Sequence, residues 1–74
     1  MGENKTPERV ERGKTMKRIR VINGMSQQYV TLVTGISSVT MVRLENGLTG
    51  GRLEVLLKMS QLYGVTLSKM IGET

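Results

Sequence analysis

The chain reads as an all-α protein, a compact bundle of five short helices. Apolar residues recur at helical spacings of three and four, as at Met16, Ile19 and Ile22. Residues that favour helix N-caps, Ser26, Ser37 and Thr66, stand where apolar segments begin. Glycines that favour helix ends, Gly24, Gly35, Gly47 and Gly64, stand where those segments stop. There is no internal repeat, linker or low-complexity tract.

The segment from Met1 to about Arg12 is polar and has only Val10 to bury, so residues 1–12 are expected to form a flexible basic arm. Within it, Thr6-Pro7-Glu8 nevertheless has the form of a helix start. The domain then spans 13–74. Its first helix is expected from about Lys14 to Asn23, with Met16, Ile19 and Ile22 inward and Lys14, Lys17 and Arg18 outward. Ser26 caps a second helix, Gln27 to about Thr34, with Val30 and Val33 on one side. Its β-branched residues (Val30, Thr31, Val33, Thr34) would by propensity alone favour a strand, but the cap and the glycine stop favour a helix. Gly35 allows a sharp turn, Ile36 points to the core, and Ser37 caps a third helix, Ser38 to Glu45, closed by Asn46-Gly47. A fourth helix runs from about Arg52 to Tyr63, with Leu53, Leu56, Leu57 and Ser60 inward. Thr66 caps a last short helix from Leu67 to about Ile71.

With 74 residues, the chain supports one small core, and with no Phe or Trp that core comes from Leu, Ile, Val and six Met. The absence of Cys excludes disulfides and thiolate metal sites, and the absence of His removes the commonest general base and metal ligand. The six carboxylates form no tight pair, and Gly47, Gly50 and Gly51 lack the Lys-Ser/Thr of a phosphate loop. Neither an enzyme nor a metal, cofactor or small-molecule site is expected. No apolar run is long enough to span a bilayer and the N-terminus is not signal-like, so a cytoplasmic, nucleoid-associated protein is expected.

The formal net charge is +5, and it is unevenly placed. Lys5, Arg9, Arg12, Lys14, Lys17, Arg18 and Arg20 face only Glu3, Glu8 and Glu11 in the first twenty residues. Next to this basic segment, residues 26–47 place two short helices around a glycine turn. That is the layout of a helix-turn-helix, which sets its second helix in the DNA major groove.

The order of segments resembles the phage Cro and repressor class of helix-turn-helix proteins, the XRE family. The matching parts are GKTMKRIR, GMSQQYV, the turn at Gly35, MVRLENG and LLKMSQLYGVTLSKMI, from Gly13 to Gly72. Met16 and Arg20 correspond to the hydrophobic residue and Arg that open such domains, and Gln27 to the Gln that starts their second helix. Val30, Ile36, Met41 and Leu44 fall on the repeated apolar positions. Three positions depart: Thr31 replaces a small residue, Thr34 an apolar one, and Gly51-Arg52 the Pro-Ser that starts the fourth helix. The hydroxyl of Thr31 is expected either to loosen a helix crossing or to bond back to its own helix.

At about 100° per residue, Met41 and Leu44 share one side of the third helix, while Val39 and Arg43 lie nearly opposite, with Ser38 and Val42 on a flank. Arg43 is the leading candidate for base contact, because a guanidinium bonds both major-groove acceptors of guanine, worth about 1–3 kcal/mol of discrimination. Ser38 can reach a base edge, and Val39 offers apolar surface to a thymine methyl. Candidates for phosphate or secondary contact are Gln27, Ser37, Thr40, Asn46, Thr49, Lys14, Lys17 and Arg18, with Ser37 also a cap. The resemblance implies a partly buried ion pair between Arg20 and Glu45. It also implies a homodimer paired through C-terminal helices, with Met59, Met70 and Ile71 as contacts. The expected function is a sequence-specific regulator of transcription, a repressor, that binds double-stranded DNA as a dimer through helix 38–45. The alternative is an antitoxin or adaptor that uses the same fold to bind protein.

Overall fold

The computed structural model describes residues 5–72, which form five α-helices: α1 Pro7–Ile22, α2 Gln27–Thr34, α3 Ser38–Glu45, α4 Leu53–Tyr63 and α5 Leu67–Met70. Helix α1 packs on α3 and α5, α2 packs on α3 and α4, and α4 packs on α5. Met16, Val30, Ile36, Met41, Leu44, Leu56, Met59, Tyr63 and Met70 form one core. Four of these nine are methionines, whose unbranched thioethers fill a core that lacks Phe and Trp.

The first helix begins earlier than the hydropathy pattern suggests. Thr6 caps it, its hydroxyl accepting from the Arg9 amide at 3.2 Å, with Pro7 and Glu8 in the first turn. Residues 7–12 are therefore helical, correcting the expected arm over 1–12; Met1 to Asn4 lie outside the described residues. The reason lies in main-chain packing. A Cβ on Gly13 would stand 2.6 Å from the carbonyl oxygens of Leu44 and Glu45, and one on Gly47 would stand 2.7 Å from Val10 Cα. The N-terminal half of α1 thus rests directly on the C-terminal end of α3.

In α2 the cap and stop prevail over β propensity. Ser26 Oγ accepts from the Tyr29 amide at 3.0 Å, and Gly35 closes the helix at φ 79°. Thr31 bonds back to Gln28 O at 2.7 Å, taking the second of its two expected courses. The Thr34 hydroxyl donates to Val30 O at 2.6 Å and accepts from the Ile36 amide at 3.2 Å. A polar residue at an apolar position thereby satisfies a main-chain donor inside the turn.

Several side chains expected inward are exposed, Ile22, Leu53 and Leu57, and so is Val33, which shares a side of α2 with the buried Val30. In α4 the buried side is Leu56, Met59, Ser60 and Tyr63, about a sixth of a turn from the expected one. Met59 and Met70 have no exposed surface at all, so they belong to the core of a single chain and are not available as dimer contacts. Ile71 is half-buried against that core. No helix among the described residues is long and apolar enough to cross a membrane.

Candidate nucleic-acid interface

Helix α3 is held at both ends by local bonds. Ser37 Oγ accepts from the Thr40 amide at 3.1 Å and donates to Thr40 Oγ1 at 2.9 Å. Both hydroxyls thus serve the cap first. Asn46 ends the helix, its side-chain amide donating to Val42 O at 2.8 Å. Thr49 Oγ1 accepts from the Gly51 amide at 3.3 Å, which shapes the loop towards α4.

The tilt of α3 is set by a buried carboxylate. Glu45 accepts from Arg20 Nε at 2.7 Å, from Arg20 Nη2 at 3.0 Å and from Gln27 Nε2 at 2.9 Å. Arg20 Nη1 also donates to Met25 O at 2.8 Å. One carboxylate thereby fixes α1, the turn after it, the start of α2 and the end of α3. The two charges are almost fully buried, and the two-pronged geometry satisfies both carboxylate oxygens. Hydrogen bonding to Glu45 raises the pKa of the Arg20 guanidinium further, against the opposing effect of burial. Beside them, the Tyr63 hydroxyl is buried without a hydrogen-bond partner among the described residues, and burial pushes its pKa up to about 12.

With Met41 and Leu44 fully buried, α3 turns Ser38, Val39, Val42 and Arg43 outward. Arg43 borders two furrows. On one side, Ser38, Val39, Val42 and Leu48 line a mostly apolar one. On the other, Arg9, Thr40, Thr49, Gly50, Gly51, Arg52, Glu54 and Val55 line a basic one.

The sequence-derived candidates divide accordingly. Ser38, Val39 and Arg43 come together on the outer face of α3, and Thr40 and Thr49 border the basic furrow. Gln27 is drawn into the Glu45 hub, leaving one amide hydrogen for an outside partner. Lys14, Lys17 and Arg18 are exposed on α1 but line neither furrow; Lys14 also pairs with Glu11 at 3.6 Å. Arg52, Val42 and Leu48 also line the furrows, although the sequence does not single them out for contact. Arg9 belongs to the expected arm, yet the helical register of α1 brings its guanidinium beside Gly50.

A five-helix core clamped by a buried ion pair, with a short capped helix presented beyond a glycine turn, defines a DNA-binding helix-turn-helix regulator. Residues 16–70 match the helix-turn-helix family HTH_3, and the chain belongs to that family, of the Cro and repressor (XRE) type. No curated protein sequence matches it. Solved structures share the fold, two of them as follows. The restriction-modification controller protein C.AhdI from Aeromonas hydrophila superposes with a TM-score of 0.82 at 18% identity, covering 88% of this chain and 98% of its own. The hypothetical transcription factor NHTF from Neisseria gives 0.79 at 20% identity, covering 96% of this chain and 82% of its own.

Proposed function

We propose that the protein is a transcriptional repressor that reads operator DNA by inserting α3 into the major groove. The observation that carries this reading is the division of α3: Met41 and Leu44 are fully buried, while Val39 is 56% exposed and Arg43 projects beside it. Arg43 contacts a guanine, and Ser38 and Val39 contact neighbouring base edges. Gln27, Asn46, Thr49, Arg9 and Arg52 meet phosphates on either side, and Lys14, Lys17 and Arg18 add longer-range attraction. Two copies bind two half-sites, because a single module of this size gives limited affinity and specificity. Occupation of the operator blocks transcription.

Fluorescence anisotropy with random duplex DNA at low salt, repeated at higher salt, tests the DNA reading. Binding that weakens steeply with salt supports phosphate contact; no binding at low salt overturns it. Sedimentation of the complex on a two-half-site duplex tests the dimer, and a single bound copy at saturation counts against it.

One observation favours the protein-binding alternative. Residues 21–42 contain no charged side chain, and Tyr29, Leu32 and Val33 of α2 are exposed, Leu32 by 76%. A neutral apolar face suits a protein partner. If DNA binding fails in the anisotropy test, this face is where an antitoxin or adaptor role would lie.

A further inference from the structure

We propose that the furrow walled by Val39, Val42 and Leu48 beside Arg43 is a slot for the 5-methyl group of a pyrimidine, within two base pairs of the guanine that Arg43 contacts. This rests on the major-groove reading above and names what the apolar half of α3 would recognise.

The lining of the furrow is Ser38, Val39, Val42, Arg43 and Leu48, with no carboxylate and no cation besides Arg43. Val39 is 56% exposed and Val42 43% exposed, on a helix whose core-facing residues are fully buried. The two valines are three residues apart, so they form neighbouring parts of one wall. Valine in a helix is almost confined to one χ1 rotamer, so that wall is shaped before any ligand arrives. Leu48, half-buried just beyond the helix, closes the far side.

In the major groove the pyrimidine C5-methyl is the apolar feature; the other base-edge groups are donors and acceptors. A donor or acceptor pressed against Val39, Val42 and Leu48 loses its water without replacement, whereas a methyl group loses nothing polar. The slot therefore both favours the methyl and disfavours alternatives. Four residues of α-helix rise about 6 Å, and base pairs stack about 3.4 Å apart. Val39 and Arg43 thus reach positions no more than about two base pairs apart. Thymine and 5-methylcytosine present the same methyl group, and the slot takes either.

The test starts from a duplex that the full chain selects out of a random pool. Each thymine is replaced singly by uracil, and each cytosine by 5-methylcytosine, and affinities are read by anisotropy. At one position within two base pairs of the Arg43-dependent guanine, uracil should weaken binding about four-fold, the effect of leaving one methyl unburied. A C·G pair placed there should bind weakly, and its 5-methylcytosine form should recover part of the loss. Val42→Ala and the near-isosteric Val42→Thr should bind the thymine and uracil duplexes alike. Both substitutions are at a solvent-exposed position, and thermal melting checks that each variant folds. If uracil is neutral at every position near that guanine, or if the methyl effect persists undiminished in both Val42 variants, the slot is refuted while the major-groove reading stands. If the pool yields no preferred duplex, the major-groove reading falls and the slot with it.

Discussion

Replacing Gly13 with alanine should destabilise the fold, although mid-helix Gly→Ala normally does the opposite. In an open helix the change gains about 1 kcal/mol of helix propensity. Here the added Cβ would lie 2.6 Å from Leu44 O and Glu45 O and 2.8 Å from Glu45 C. Ordinary contact begins at 3.4 Å, so α1 must retreat from α3 by roughly 0.8 Å. Overpacking of this kind costs about 1–3 kcal/mol. The retreat also stretches the Arg20–Glu45 bonds, which span the same two helices. After the propensity gain, a net loss of up to about 2 kcal/mol remains, equivalent to a melting temperature lower by up to roughly 15 °C. Gly50→Ala serves as the control, since its Cβ would meet only the flexible Arg9 side chain, at 3.5 Å; it should change stability by less than about 0.5 kcal/mol. Thermal melting followed by circular dichroism reads both. A Gly13→Ala protein that melts higher than the wild type would falsify the close α1–α3 contact.

Three further outcomes can be measured. Glu45→Ala should cost about 3–5 kcal/mol, because it leaves the Arg20 guanidinium buried without its counter-charge; combined with Arg20→Met the loss should shrink, and strict additivity in urea titrations would contradict the coupling. Tyr63→Phe should be neutral or stabilising at pH 7, since the hydroxyl is buried without a partner among the described residues. In the wild type, Tyr63 titrates at about 12 in the folded state and near 10 in the unfolded chain, so stability falls across that window, by about 2 kcal/mol at its end. The phenylalanine variant should lack this component, and parallel curves for the two proteins between pH 9 and 11 would argue against it. Arg9→Ala should weaken binding to all duplexes alike and reduce the slope of log K against log salt by about one; an unchanged slope would remove Arg9 from the phosphate contacts.

Much of the architecture is legible in the sequence because it is written in local chemistry. Ser26, Ser37 and Thr66 accept from main-chain amides at their helix starts, and Gly35 takes the left-handed conformation the turn needs. Helix periodicity places Met41 and Leu44 inside and Val39 and Arg43 outside. The Arg20–Glu45 pair follows from family resemblance, and periodicity gives no hint of it. What escapes the sequence depends on contacts without a hydropathy signal. The first turns of α1 are anchored by close main-chain approach at Gly13 and Gly47, with Val10 alone giving an aliphatic signal, so the segment reads as an arm. Ile22, Val33, Leu53 and Leu57 lie on apolar arcs broader than the stripe that meets so small a core, and they remain exposed. Gln27 looks like a phosphate ligand because its position at a helix start is visible in sequence, whereas the carboxylate it bonds lies eighteen residues away.

Arg43 links the fold most directly to its proposed use. The decisive measurement is the ratio of affinities for a selected duplex and a random duplex, for the wild type and for Arg43→Ala, at one salt concentration. Loss of a two-pronged guanine contact should lower the ratio by about 5- to 150-fold, from about 1–3 kcal/mol, with random-duplex affinity little changed. Equal losses on both duplexes, or an unchanged ratio, would mean that α3 does not read sequence through Arg43.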